Sequence, residues 1–139
     1  MRDRYTLRGV VLDANSSKVI FNSPQDNVGW VVESFYIWSW NMDANLYVAG
    51  KLVKGSVDGI SFQNSDVQDS RVIAWAQSSG SVAESSSINI IDPAHLITNE
   101  LYVVNLSGQA ISYMVNLKRV SITDDQEIIS IIKERQQHA

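Results

Sequence analysis

The sequence predicts an all-β protein, an antiparallel β-sandwich carrying one short α-helix at its C-terminus. Three observations predict it. Short runs rich in Val, Ile, Tyr, Phe and Trp recur along the whole chain. Most are separated by Asn, Asp, Ser and Gly in turn-forming clusters. Before the last stretch, no segment carries helical periodicity and none alternates strand with helix, which argues against a parallel α/β sheet.

In chain order, the expected strands lie near Tyr5–Leu12, Lys18–Phe21, Gly29–Trp40, Leu46–Val53, Gly59–Phe62, Arg71–Ala76, Ser87–Ile91, Leu101–Leu106 and Ile111–Ile122. The intervening turns are DANSS at 13–17, NSPQDN at 22–27, NMDAN at 41–45, NSD at 64–66, and the dipeptides Asp58-Gly59 and Ser107-Gly108. The last two are short enough for tight hairpins. Eight or nine short strands with regular turns suit a sandwich or a barrel. The serine-rich stretch Ser78–Ser87 reads as a long mobile surface loop, or as a contact loop for a partner.

The helix is expected at about 124–136. Thr123 or Asp124 can cap it, with Gln126 or Glu127 three positions on. Asp124, Asp125 and Glu127 suit the positive end of the helix dipole, and Lys133 and Arg135 the negative end. Ile128, Ile129, Ile131 and Ile132 form one stripe that must dock on the sandwich or on another copy.

The most informative run is Trp30–Trp40, WVVESFYIWSW. At a period of two, Trp30, Val32, Ser34, Tyr36, Trp38 and Trp40 share one face, and Val31, Glu33, Phe35, Ile37 and Ser39 the other. Both faces are largely apolar, so the strand is expected to be covered twice: by its own core, and by a second layer, a neighbouring subunit or a ligand. Trp30, Tyr36, Trp38, Trp40 and Trp75, with Tyr47 nearby, are therefore the candidate interface or ligand platform. A sugar-stacking platform is one reading. Core plus subunit interface is the other, favoured because Val, Ile and Phe, not hydrogen-bonding groups, flank the rings in sequence.

Composition narrows the function classes. At 139 residues the chain is a single domain, 1–139, large enough for a hydrophobic core. Its formal charge of −4 argues against coating nucleic acid. It contains no cysteine, so disulfides, thiol catalysis and thiolate metal sites are unavailable to it. No apolar run reaches the roughly 18 residues of a membrane span, and MRDRYTLRGVV is no signal peptide. The expectation is a soluble protein made in the cytoplasm.

No catalytic set is visible, and neither a metal nor another cofactor is expected. The two histidines are His95, in the turn-like DPAHLI, and His138 near the terminus, too few for a zinc site. There is no GxSxG elbow and no glycine-rich phosphate loop. Asn64, Asp66 and Asp69, or Asn41, Asp43 and Asn45, come nearest to a calcium loop but lack its glycine and bidentate glutamate.

The C-terminal third, DPAHLITNELYVVNLSG at 92–108 followed by AISYMVNLKRVSITDDQEIISIIKERQQ at 110–137, resembles the end of small β-sandwich structural proteins of viruses and tailless bacteriophages. In these, a final set of strands precedes a short acidic-capped helix. The resemblance implies a jelly-roll-like domain that self-assembles with copies of itself and other virion proteins into a capsid, vertex or spike, assembled in the host cytoplasm and located in the virion. It carries no catalytic residues. The faint basic content of the N-terminus, Arg2, Arg4 and Arg8, departs from the basic arm of many capsid proteins, so direct nucleic-acid binding is not expected. The alternative function is a carbohydrate- or receptor-binding β-sandwich module.

Overall fold

The computed structural model describes residues 3–23, 28–41, 47–80 and 85–121. Eight strands form: β1 Arg4–Val11, β2 Ser16–Asn22, β3 Val28–Ser39, β4 Val48–Lys54, β5 Val72–Gly80, β6 Ser85–Ile91, β7 Glu100–Asn105 and β8 Ile111–Ser121. All pair antiparallel, in a three-stranded sheet β1-β8-β3 and a five-stranded sheet β2-β7-β4-β5-β6. The expected helix at 124–136, with Ile128, Ile129, Ile131 and Ile132, lies outside the described residues.

The core fills the space between the sheets. Phe35, Ile37, Tyr113, Val115 and Leu117 point in from one side, and Val48, Leu52, Ile73, Leu101 and Val103 from the other. Each is at most 5% exposed. Full burial of one such side chain contributes about 1.5–3 kcal/mol. Gly9 stands opposite Tyr113 on the β1–β8 ladder. A Cβ there would lie 2.7 Å from the Tyr113 phenol oxygen, so the missing side chain is what admits the ring. Trp30 closes the lower core, 3% exposed, with its ring 5.3 Å from Tyr5 and 5.2 Å from Phe21.

Four sequence expectations need correction. Ser107-Gly108 is not a tight hairpin. β7 and β8 belong to different sheets, so this turn is a crossover between them. The buried Asn105 holds it in place, its Nδ2 donating to Asp13 O at 3.0 Å and Gln109 O at 2.8 Å. Asp58-Gly59 is not a hairpin either, and Gly59–Phe62 is not a strand: both fall in the long connection between β4 and β5. The described residues of the serine-rich stretch are strand, with Ser78 paired to Ser87, Ser79 to Ser86 and Gly80 to Ser85. Backbone ladders do not need apolar side chains, and small hydroxyls do not obstruct them. The strand that this chain itself covers on both faces is β4, all seven residues of which are buried. It is central in its sheet, and the 55–71 connection folds over its outer face. Ile60 there packs with Val53, Val72 and Val104, flanked by Val57, Phe62 and Trp75.

Candidate interaction surface

A β-bulge decides what β3 shows to solvent. The β3–β8 register runs Val32↔Leu117 and then Ser34↔Asn116, leaving Glu33 as an extra residue. Inward residues are even-numbered before it (Trp30, Val32) and odd-numbered after it (Phe35, Ile37). The single-phase face of Trp30, Val32, Ser34, Tyr36, Trp38 and Trp40 therefore does not exist. Trp30 and Phe35 share the inner side, and Tyr36 and Trp38 turn out.

Opposed residues of an antiparallel ladder share a face, so the outer side of the three-stranded sheet carries three rows: Trp38–Ser112–Val10, Tyr36–Met114–Arg8 and Ser34–Asn116–Thr6. Tyr36 is 49% exposed and Trp40, just past the strand, 56%. Trp38 and Met114 are half-buried. The third row is a hydrogen-bonded polar ladder. Thr6 Oγ1 donates to Asn116 Oδ1 at 2.8 Å, and Asn116 Nδ2 donates to Ser34 Oγ. Arg4 pairs with Glu33 at 2.9 Å beyond it. The rings thus have polar neighbours in space that they lack in sequence.

A second apolar area lies on the outer side of the five-stranded sheet. Trp75 stands opposite Ile90, and Gln77 opposite Ile88. With Val67 from the covering loop they line a groove of about 300 Å³. Trp75 is half-buried, and its indole N–H donates to Ser65 O at 2.7 Å, which fixes the loop against the strand. The five sequence candidates therefore separate: Trp30 in the core, Tyr36, Trp38 and Trp40 together on one sheet, and Trp75 on the other. Exposed Ile88 and Ile90 lie in the expected strand Ser87–Ile91, but at a period of two nothing in the sequence marks their face as the outer one.

The titratable residues build structure. The Lys51 ammonium, fully buried, donates to Ser61 O at 2.7 Å, Asn64 O at 2.8 Å and Asp66 Oδ2 at 2.8 Å. Of the nearest calcium-like cluster, Asn64 and Asp66 thus enclose a lysine. Asp69 is paired with Arg71 at 2.7 Å. That hydrogen-bonded carboxylate pushes the Arg71 pKa up from its ordinary value. Burial pushes the Tyr113 phenol up, and the hydrogen bond to Glu100 raises Tyr102. His95 closes the free edge of β3. Its Nε2 accepts the Val32 N–H at 2.8 Å while Nδ1 faces Asp92 O, which sets the neutral Nδ1–H tautomer. Among the described residues no group of three or more His, Cys, Asp or Glu is arranged to hold a metal, and no helix is long and apolar enough to cross a membrane.

No family model matches the chain, and no curated protein matches it. A solved chain from the work "Bacillus endospore appendages form a novel family of disulfide-linked pili" is similar over 86% of this chain and 88% of that one, at 7% identity and a TM-score of 0.38.

Proposed function

We propose that the protein is a non-enzymatic structural subunit that self-assembles through its sandwich faces and edges, as a capsid, vertex or spike component of a virion. The observation that carries this reading is the aromatic row Tyr36, Trp38 and Trp40 on the outer face of a regular sheet, two of the three about half exposed. Large aromatics concentrate at interface anchors, where they bury area at low entropic cost. The strand order supports a jelly-roll reading. β1 pairs with β8, β2 with β7 and β4 with β5, the nesting of one long folded hairpin. The β3–β6 pair that would complete it is in side-chain contact, Asn89 Nδ2 donating to Phe35 O, while β6 takes its ladder from β5.

The test is sedimentation velocity of the full chain beside Tyr36→Lys/Trp40→Lys. The expected result is a discrete oligomer that the double variant reduces in size without a change in melting temperature. A wild-type chain that stays monomeric up to about 1 mM, the weak limit of useful affinity, overturns the reading.

The polar ladder beside the rings favours a second reading, a carbohydrate- or receptor-binding module. Ser34, Asn116 and Thr6 supply the hydrogen-bonding groups that a saccharide stacked on Tyr36 and Trp38 needs. A monomer whose tryptophan fluorescence shifts on titration with an oligosaccharide panel, and no longer does so in Trp38→Ala, supports this reading over the first.

A further inference from the structure

We infer that the free edge of β6 is a self-pairing site, at which β6 of a second copy adds antiparallel and joins two five-stranded sheets into one. This rests on the self-assembly reading and names one of its contacts.

An unprotected sheet edge is a template for strand addition, and folded proteins guard such edges with charges, bulges, proline or a covering segment. Among the described residues, three of the four sheet edges are guarded. β1 carries Arg4 and Arg8. β2 has a bulge between Val19 and Phe21, and its Lys18 Nζ donates across to Val10 O at 3.2 Å. β3 is bulged at Glu33, bridged by the reciprocal Trp30–Ile97 bonds of 2.8 Å, and capped by His95. β6 is the fourth. Its sequence, SSSINII, has no charge and no proline, and its register with β5 is unbroken.

The chemistry of the strand selects a second copy as the occupant. An uncharged strand meets itself without like-charge repulsion. A two-fold axis at Asn89 sets Ile88 opposite Ile90 of the second copy, and an antiparallel isologous contact repeats that pair on the other side. Ile88 and Ile90 are 50% and 54% exposed in the single chain. They flank the groove floored by Trp75, so pairing continues that apolar surface across the axis.

Sedimentation velocity of Ile88→Lys/Ile90→Lys tests this. Both side chains are half exposed, so the melting temperature is expected to hold while association weakens by at least about tenfold. The cysteine-free chain allows a geometric check: Ile88→Cys/Ile90→Cys, mildly oxidised, is expected to give a covalent dimer on a non-reducing gel. An oligomer whose size is unchanged by the lysine pair, with no covalent dimer from the cysteine pair, overturns this contact and leaves general self-assembly standing. A wild-type monomer at every concentration overturns both. Association that starts only when residues 122–139 are removed assigns the groove to the chain's own tail, and likewise overturns the proposal.

Discussion

Lys51 is the residue on which the covering layer turns. An ammonium has three donors, and Lys51 uses all three on the 61–66 stretch. Two of the acceptors are backbone carbonyls, so they cannot be mutated away, and the Asp66 carboxylate completes the shell. Lys51→Met keeps the stem and removes the charge. It leaves two carbonyls without their donor and the Asp66 carboxylate, a quarter exposed, with the Ser61 N–H, at an expected cost of about 2 kcal/mol in urea unfolding. Trp75 emission should shift with it, since the indole N–H is held by Ser65 O of the same loop. Tyr113 sets a pH dependence. Its phenol is raised by burial, so the folded state holds this proton more tightly than the unfolded chain does. The associated stability is complete below the ordinary tyrosine value of about 10 and is lost as pH rises through the folded value. Tyr113→Phe is expected to flatten the alkaline limb of the stability curve. Tyr102→Phe separates out the second raised phenol, whose shift comes from Glu100.

At the scale of elements, Glu33 matters by its presence in the chain more than by its side chain. With it, Phe35 and Ile37 enter the core; without it, the period of two continues and both move to the solvent side. Deletion of Glu33 is expected to abolish the cooperative melt. Glu33→Ala removes only an exposed ion pair with Arg4 and should cost less than about 1 kcal/mol. Circular dichroism melts of the two variants decide it. The same strand explains what was legible in the sequence. The β-branched and aromatic runs marked all eight strands to within a few residues, because a half-buried pleat needs those side chains. The bulge was hidden because both phases of β3 carry aromatics, so periodicity gave no sign of a change of face. The role of Ser107-Gly108 was hidden because a short turn looks alike in a hairpin and in a crossover, and only the placing of β7 and β8 in different sheets distinguishes them. Ile60 and Phe62 mimicked a strand because covering β4 also calls for spaced apolar residues. The site was half legible: Tyr36, Trp38 and Trp40 do lie together, but Trp30 belongs to the core, and Ile88 and Ile90, although within an expected strand, carried no sign of which face they take.

Taken as a whole, the molecule is unevenly held. β4 is buried along its full length between β7 and β5 under a lysine-pinned cover. β8 lies between β1 and β3 and buries Ile111, Tyr113, Val115 and Leu117. Among the described residues β6 has a single ladder partner, exposed Ser87, Ile88, Asn89 and Ile90, and Asn89 as a tie to the opposite sheet. Local opening free energies follow buried contact, so the amides of β6 should exchange through a sub-global opening while those of β4 and β8 wait for global unfolding. Native-state hydrogen exchange of the dilute chain is expected to place β6 at least about 2 kcal/mol below β4. Asn89→Ala should widen the gap by removing the bond to Phe35 O, with little effect on β8. The same measurement made at rising protein concentration links stability to assembly. A second copy that binds only the closed strand stabilises it by mass action, so β6 protection should climb with concentration while β4 stays fixed. Equal protection of β6 and β4 in the dilute chain would show that the edge strand is held as firmly as the centre, and that its exposure does not make it the part of the fold awaiting a partner.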